Sequence, residues 1–576
     1  MASVQKPSGS RPKNKNNFFI HRKWQIGILV LAAFMVYLPT LKYEYVNLDD
    51  TSLIVDKFKF NKEPANIPGL FRQQVFYVPG EYNMGCIGST DPDKQNKMAG
   101  GYYRPLFSLS LMLDAQVSNS HMPPFYRFLN LVYHLISCVL LLLFLDLLAV
   151  AALPAFALTL LFTIHPLWGH AVVWIPGRND ILLAVFAIPC FMYFVKATNA
   201  PSVRNYGYHF LFFFLAMLTK ETSVLLPVIC LVYLLFFRKD KIIARQNLPY
   251  LIFYPAAAVV VYFLNVRTTG GMSGFSFKEL MAMGYGYLYN IPVGLMQYFG
   301  KVILPLNLSV LPTIEDTNFI LVAAAVILAG AAVVTSRKKD MRLVLFGLSW
   351  FVLFLLPSLF VAGKDMHEHR AYLPVAGLML SAAGMIGSAD INFRNNRIIM
   401  LFAGLIIMYV TEHTINLPLY KNRFSFWQNS LETANAGKAA YNSMSLGKLY
   451  EQIGQYDKAI EAYKTGLNRK PDQPMLYNNM GGAYIYKHMY PEAEAALKKE
   501  LEMVPNNCCA TFNLGLVYKF TGKIAPAIEM WKKTLVLNKD FANAYQQLAE
   551  YYKAVHDPIN YMIYAGELKK RGLDAP

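Results

Sequence analysis

The stretch VAALPAFALTLLFTIHPLWGHAVVWIPGRNDILLAVFAIPCFMYFVKA, residues 150–197, decides the fold of this chain. It contains two apolar runs, 150–164 and 180–197, with a polar island of histidine, arginine and aspartate between them. Apolar runs of about 17–25 residues are typical of membrane-spanning helices. Ionisable side chains are costly at membrane depth and usually have a function there. We therefore predict a membrane protein that crosses the bilayer many times and carries functional groups between its spans.

The same alternation continues along most of the chain. We predict an all-α fold, a polytopic membrane helical bundle of about 11 transmembrane helices. The apolar runs lie at 24–41, 126–148, 150–164, 180–197, 206–219, 222–237, 248–266, 319–335, 343–362, 372–390 and 397–411. The basic tail 1–23 precedes a run that we interpret as a retained anchor, because no small-residue cleavage site follows it. The predicted transmembrane domain is 24–411, with a first extracytoplasmic loop at 42–125.

The charge of the chain predicts its orientation. It has 54 Lys and Arg against 36 Asp and Glu, a formal net charge of +18. In a soluble protein this excess would indicate nucleic-acid binding, but here it lies in short clusters between apolar runs, so we predict no nucleic-acid partner. The clusters are 11–23, 238–245, 337–342 and 394–397. Placing them in the cytoplasm makes the N-terminus cytoplasmic and the chain after 411 extracytoplasmic. This requires that 279–303 is re-entrant or surface-lying, which we expect because its glycines and Pro292 make it a poor straight helix.

The C-terminal part is an internal repeat. Small residues recur every 34 residues at two positions of the unit, Gly447, Gly481, Gly515 and Ala459, Ala493, Ala527. This period, with large residues between the small ones, is typical of the tetratricopeptide repeat. We predict a linker at 412–440 and a tetratricopeptide-repeat α-solenoid at 441–576, with a degenerate last unit as a cap. Such an array binds a partner or acceptor protein; stabilisation of the domain and self-association are the alternatives.

Two adjacent acids, Asp49 and Asp50, lie in the first loop just beyond the first apolar run. Like charges held close together raise the pKa of at least one carboxylate, unless a cation or a substrate hydroxyl occupies the site. Such a carboxylate can act as a general base toward an acceptor hydroxyl. We predict Asp49 and Asp50 as the catalytic residues, and a solvated loop end is the alternative.

Further polar groups fall between apolar runs on the same predicted side. The candidates for binding the phosphate or sugar of a donor are Arg104, His165, His170, Arg178, Asp180, Lys220, Glu221, His369, Arg370 and Tyr372. Arginine suits phosphate because its planar guanidinium is always charged and donates as a fork. Helix capping and surface salt bridges are the alternatives. A pair of histidines is a weak metal signal, so we predict no metal ligand and leave a divalent cation open.

These motifs follow one order along the chain: Asp49-Asp50, YYRPL at 102–106, the island 165–180, Lys220-Glu221, 370–374 and the repeats. In this order the chain resembles the membrane-embedded glycosyltransferases of the GT-C class, most closely the transmembrane-and-tetratricopeptide-repeat O-mannosyltransferases and their prokaryotic relatives. The resemblance implies an inverting transfer of a sugar from polyprenyl or dolichyl phosphate to a protein hydroxyl on the lumenal or periplasmic side. It also implies that Asp49 or Asp50 is the base and that basic residues hold the lipid phosphate.

We therefore predict an integral-membrane O-glycosyltransferase of a bacterial or archaeal inner membrane or of the endoplasmic-reticulum membrane. Its predicted partners are the lipid-phosphate sugar donor, membrane lipid, and an acceptor protein bound through the repeats. One alternative is a transferase of the same class that handles an oligosaccharide, a lipid or a cell-wall polymer. The other is a non-enzymatic membrane scaffold or a transporter. Polar groups between spans, rather than near the bilayer midplane, favour the enzyme.

Overall fold

The computed structural model describes residues 17–76, 102–269, 277–336, 339–360, 365–387, 396–434, 436–571, 573–574 and 576. Within these ranges the chain is helical, apart from turns and one isolated antiparallel bridge between Thr313 and Asp365. The predicted all-α fold is confirmed. Most of the basic tail 1–23, part of the first loop and parts of two basic clusters lie outside the described residues.

The membrane half is a succession of helices, most of them apolar. They are α1 Asn17–Tyr37, α2 Phe58–Lys62, α3 Ile67–Leu70, α4 Pro105–Ser118, α5 Pro123–Leu147, α6 Ala152–Thr163, α7 Arg178–Asn199, α8 Val203–Met217, α9 Leu226–Phe237, α10 Leu248–Thr269, α11 Phe277–Ile303, α12 Phe319–Thr335, α13 Met341–Leu359, α14 Tyr372–Ile386 and α15 Asn396–Asn416. Short helical turns at Gly169–Val173, Glu221–Leu225 and Glu368–Ala371 connect some of them. These turns carry the predicted polar motifs, so the polar groups lie at helix ends.

Six helices in the described part of the chain are long and apolar enough to cross a membrane. They are Arg22–Lys42, Pro123–Leu147, Ile175–Asn199, Arg245–Thr268, Met341–Leu359 and Ile398–Tyr420. Taking the bent pair Ala152–Thr163 and Pro166–Val173 as one span gives seven, and Glu221–Phe237 and Phe319–Thr335 are apolar but shorter. Membrane-type helices are therefore present, whereas the number of about 11 crossings and the orientation stay predictions.

Helix α11 differs from its sequence-based expectation. We expected its glycines and Pro292 to make it a poor straight helix, but it is continuous from Phe277 to Ile303. Packing accounts for two of the glycines, because a Cβ at Gly294 would lie 2.6 Å from Leu359 and one at Gly300 would lie 3.0 Å from Val322. Tertiary contacts of this kind outweigh low intrinsic helix propensity. Whether this helix spans the membrane, lies on its surface or re-enters it stays a prediction.

Helices α13 and α14 cross at close range through small residues. A Cβ at Gly347 or at Gly377 would overlap the backbone of the facing helix. Ser381 Oγ also donates a hydrogen bond to the Val344 carbonyl at 2.9 Å. Small residues and such bonds stabilise helix pairs where no hydrophobic driving force acts between them. The crossing fixes the start of α14, directly after the turn Glu368–Ala371.

The described part of the tail consists of one leading helix followed by four helix pairs. They are α16 Arg423–Thr433, α17 Ala436–Gln452, α18 Tyr456–Arg469, α19 Leu476–Tyr486, α20 Tyr490–Met503, α21 Cys508–Phe520, α22 Ile524–Leu537, α23 Ala542–Ala554 and α24 Pro558–Lys570. Each repeated glycine of the first helix in a pair faces a large residue of the second: Gly447 faces Tyr463, Gly481 faces Leu497 and Gly515 faces Trp531. The 34-residue period therefore has the packing basis that the sequence predicts.

The first repeat is attached to the membrane half. Trp427 and Leu446 belong to the same buried core as the apolar helices. Trp427 Nε1 donates a hydrogen bond to the Val46 carbonyl at 3.1 Å, and the Glu44 N–H donates to the Lys421 carbonyl at 2.8 Å. The first loop, the predicted linker and the repeats are thus joined by buried contacts.

Candidate active site

The two acids of the first loop have different environments. Asp50 is 1% exposed, and its carboxylate accepts hydrogen bonds from the N–H groups of Val46, Leu48 and Thr51 at 2.8, 3.1 and 3.2 Å. A carboxylate whose oxygens are used by three backbone donors organises the loop around it. Asp50 is therefore the acid that shapes the turn.

Asp49 is the acid of the pair that remains half-buried. Burial raises the pKa of Asp49 to about 6, the charge of Asp50 adds to this rise, and the nearby Arg104 guanidinium opposes it. A carboxyl group with a pKa close to the working pH is well suited to accept a proton in a reaction. Asp49 is thus the better candidate for a general base.

Two ion pairs lie beside the first loop. Arg104 donates to both carboxylate oxygens of Glu221, at 3.0 Å through Nε and at 2.6 Å through Nη2. Lys220 Nζ lies 2.7 Å from each oxygen of Asp180. The charges of Arg104 and Asp180 are also close enough to interact. Three motifs that are far apart in the sequence therefore meet in one polar cluster.

The turn Glu368–Ala371 brings a fourth motif to this cluster. His369 Nε2 lies 3.8 Å from Asp180 Oδ2. Its neighbour Glu368 is buried and pairs with Lys301 at 2.7 Å. Lys301 belongs to the last turn of α11, so this helix contributes to the site as well. The cluster is assembled from helix ends and turns of the whole membrane half.

Arg370 differs from the other basic groups of the cluster. Arg370 Nη1 donates to the backbone carbonyls of Ser358 and Asp365 at 3.4 and 3.3 Å. Its charge acts on Asp180, but within the described ranges no carboxylate lies at salt-bridge distance from it. A guanidinium that is held in place by carbonyl groups keeps its charge available for an anion. Arg370 is therefore the best candidate for holding a phosphate.

A three-histidine cluster, His170 with His367 and His369, lies next to Asp180. The ring centroids of His170 and His369 are 4.7 Å apart, and those of His367 and His369 are 5.4 Å apart. One nitrogen from each ring lies within 4.8 Å of the other two. Burial, together with neighbouring basic groups, lowers the pKa of His367 and of His369 well below the usual value. These neutral imidazoles could hold a metal ion or donate to oxygen atoms of a substrate.

Arg178, a predicted donor-binding residue, lies elsewhere. Its guanidinium forms a 2.6 Å ion pair with Asp114, and the two side chains are 0% and 1% exposed. It also donates to Asn130 Oδ1 at 2.6 Å and to the Tyr126 carbonyl at 2.8 Å. Its donors are therefore used in holding α4, α5 and α7 together, and we leave Arg178 out of the proposed site.

His165 and Tyr372 are likewise not brought to the cluster. His165 Nε2 is 3.0 Å from the Val302 carbonyl, and the Tyr372 hydroxyl is 2.5 Å from His134 Nδ1. Both side chains are completely buried. Their polar atoms are satisfied within the core, so these two residues also fall outside the proposed site.

Sequence reasoning missed groups that the tail and α11 contribute. Lys438, in the first repeat helix, forms an ion pair with Asp365. Tyr441 lies near Asp49 and Asp365, since their charges reinforce the rise in its pKa that burial causes. Lys301 was also missed. No local pattern in the sequence marks these residues, because contacts between distant segments bring them to the site.

Known proteins resemble the chain in both of its parts. A family model described as TPR repeat matches residues 447–487. Protein O-mannosyl-transferase TMTC3 of Mus musculus is 21% identical over 524 residues, which cover 79% of this chain and 56% of that protein. Protein O-mannosyl-transferase Tmtc3 of Drosophila melanogaster is 22% identical over 68% of this chain and 50% of its own length. The crystal structure of MamA has 23% sequence identity and a TM-score of 0.23, covering 25% of this chain and 88% of MamA.

The fold and the comparisons together identify the class of this protein: it is an all-α protein with membrane-type helices and tetratricopeptide repeats. Within that class, the chain is similar over most of its length to the proteins named protein O-mannosyl-transferase TMTC3. The resemblance predicted from the sequence is confirmed. The chain spans about half the length of the curated relatives it matches.

Proposed function

We propose that this protein is a membrane glycosyltransferase that moves a sugar from a polyprenyl- or dolichyl-phosphate donor to a hydroxyl side chain of an acceptor protein. Asp49 takes the proton of the acceptor hydroxyl while the hydroxyl oxygen attacks the anomeric carbon of the donor sugar. The bond from that carbon to the phosphate oxygen breaks, and the lipid phosphate leaves with the electron pair. Because attack and departure occur on opposite faces, the configuration at the anomeric carbon is inverted.

The single observation that carries this proposal is the position of Asp49. Its half-buried carboxyl group, with a pKa of about 6, lies within the electrostatic range of Arg104, and Arg104 in turn neighbours Asp180 and Lys220. A base beside a group of fixed cations is what transfer from a phosphate donor requires. Asp50 is less suited to the role, since three backbone donors already use its carboxylate.

Arg370 is proposed to stabilise the leaving phosphate. Negative charge grows on that phosphate in the transition state, and a preorganised cation there contributes strongly to catalysis. Arg104 and Lys220 are proposed to add positive potential near the phosphate, while each is held in an ion pair with a carboxylate. These pairs hold the positive charges near the site without a large net charge.

The repeats are proposed to bind the acceptor protein on the extracytoplasmic side. Lys438 of the first repeat helix pairs with Asp365, and the charge of Asp49 acts on Tyr441 of the same helix. An acceptor segment that follows the repeats would therefore arrive at the base. The relatives are named protein O-mannosyl-transferases, so mannose is the first sugar to test.

The test uses the purified full-length protein, a dolichyl-phosphate mannose donor and an extract of secreted acceptor proteins. We expect incorporation of mannose into protein, loss of it in Asp49→Asn, and normal incorporation in Glu63→Gln, an exposed acid of the same loop. Incorporation into lipid alone would favour a lipid-directed transferase. Equal incorporation by Asp49→Asn would contradict the proposed base.

A further inference from the structure

The nitrogen atoms of the three-histidine cluster are unusual for buried imidazoles. Neither nitrogen of His170 has a hydrogen-bond partner, and the Nδ1 atoms of His367 and His369 have none either. His170 is 0% exposed and His369 is 6% exposed. Burying a polar atom without a partner costs stability, so three such rings in one place point to a ligand-binding site.

Other buried histidines of the described chain show the contrast. One nitrogen of each ring lies 2.9 to 3.0 Å from a backbone carbonyl in His134, His165, His209 and His413, although Nδ1 of His413 has no partner. The chain can therefore satisfy a buried imidazole with a nearby carbonyl group. In the three-histidine cluster, by contrast, four nitrogen atoms have no hydrogen-bond partner, and one nitrogen of each ring lies within 4.8 Å of the other two.

We propose that His170, His367 and His369 bind a divalent transition-metal ion of the zinc class. Imidazole nitrogen is a preferred ligand of zinc and its neighbours, whereas Mg²⁺ and Ca²⁺ prefer oxygen ligands. Three protein ligands leave the fourth position of a tetrahedral ion open to water or to an oxygen of a substrate. The proposal rests on the proposed function in one respect, because the ion would lie beside Asp180 in the proposed active site. Metal binding itself can be measured independently of sugar transfer.

The geometry requires only a small adjustment. With metal–nitrogen bonds of about 2.1 Å, a tetrahedral ion holds its ligand nitrogens roughly 3.4 Å apart. The observed separations are within 4.8 Å, and rotation of the rings can close this difference. Asp180 lies 3.8 Å from His369 Nε2, which is beyond hydrogen-bond distance; a closer approach on metal binding would let it orient that ring, as carboxylates do for metal-bound histidines.

The charges around the cluster are compatible with a cation. Three basic side chains near it are each paired with a carboxylate: Arg104 with Glu221, Lys220 with Asp180 and Lys301 with Glu368. Lys438 is paired with Asp365. Arg370 has no carboxylate at salt-bridge distance within the described ranges. An oxyanion that contacts both Arg370 and the metal ion would balance the positive charges of the two.

Metal content is the first test. The full-length protein is stripped with a chelator, equilibrated with Zn²⁺, freed of unbound ion and analysed by mass spectrometry. We expect about one Zn²⁺ per chain, undiminished by Mg²⁺, in the wild type and in His121→Ala, which alters an exposed histidine. The double variant His367→Ala and His369→Ala should fall to background. A wild type without Zn²⁺, or a folded double variant that retains it, would overturn the proposal.

A cysteine substitution gives a positive signal that loss of folding cannot imitate. Cysteine is also a zinc-type ligand, so His369→Cys loaded with Co²⁺ should gain a thiolate-to-cobalt charge-transfer absorption that the wild type lacks. His121→Cys should not gain it. Absence of this band in a His369→Cys protein that binds Co²⁺ would exclude residue 369 as a ligand. Transfer assays on the same samples remain separate, so failure of the metal site leaves Asp49 as the proposed base.

Discussion

The Lys220 ammonium group lies 2.7 Å from both carboxylate oxygens of Asp180, and the two side chains are 8% and 4% exposed. Lys220 follows α8, whereas Asp180 lies in the first turn of α7, so one ion pair ties two helix ends together. Removing one partner of a buried pair leaves an uncompensated charge, which is far more costly than removing both.

The first prediction concerns this ion pair. Lys220→Met should lower the free energy of unfolding by about 3–5 kcal/mol, and adding Asp180→Leu should restore much of that loss. Chemical unfolding of both variants in detergent would measure the difference. A single variant as stable as the wild type would mean that Asp180 is solvated or protonated.

The second prediction concerns pH. Since burial raises the pKa of Asp49 to about 6, and only the unprotonated carboxylate accepts a proton, kcat/KM should rise as the pH increases through that value. Arg104→Gln removes a cation that lowers this pKa, so the acid limb should move to higher pH. The pH profiles of both proteins test this. A limb that stays in place or moves to lower pH in the variant would refute the coupling.

The third prediction separates two arginines that look alike in the sequence. Arg370→Ala should raise the KM for the donor about tenfold or more, equivalent to ~1.4 kcal/mol of lost binding, with little change in stability. Arg178→Ala should instead lower stability by about 3–5 kcal/mol, because it leaves Asp114 buried and unpaired. Donor kinetics and thermal unfolding of both variants distinguish the roles. A selective donor defect in Arg178→Ala would reverse the assignment.

The fourth prediction uses adjacent glycines in α19. A Cβ at Gly481 would lie 2.7 Å from Leu497 Cγ, whereas one at Gly482 would meet nothing within 4 Å. Gly481→Ala should destabilise the repeats by about 1–3 kcal/mol, and Gly482→Ala should stabilise them by up to about 1 kcal/mol. Limited proteolysis of the tail during heating of the full-length protein measures both. Equal responses would show that α19 and α20 are packed differently.

The fifth prediction concerns orientation. With the protein expressed in a bacterial inner membrane, Asp472→Cys, exposed in the repeats, should react with a reagent that reaches only the periplasm. Asp240→Cys, in a predicted cytoplasmic cluster, should react only after the inner membrane is permeabilised. The opposite pattern would place the repeats inside the cell.

The 34-residue period and the order of the polar motifs could be read from the sequence because both are local patterns. Gly447 facing Tyr463 is the packing that the period predicts. The sequence also marked Arg104, Asp180, Lys220 and Arg370 as charged groups between apolar runs; their role in donor binding stays a prediction.

What the sequence could not reveal depends on partners far along the chain. Asp49 and Asp50 look equivalent until the backbone turns its N–H groups toward Asp50. Arg178 looks like a substrate ligand until Asp114, on another helix, is seen to neutralise it. Lys301 lies in α11, which was expected to be a poor straight helix because only the low helix propensity of its glycines and proline was considered.

The hydrogen bonds from Trp427 to Val46 and from Glu44 to Lys421 make the two ends of the repeat array unequal. The segment that precedes the first repeat is hydrogen-bonded to the loop that carries the proposed base. Adding or removing units at the other end of the array does not change these contacts. If the repeats bind the acceptor as proposed, a change in the number of repeats would alter which acceptor proteins can be reached, without any change around Asp49.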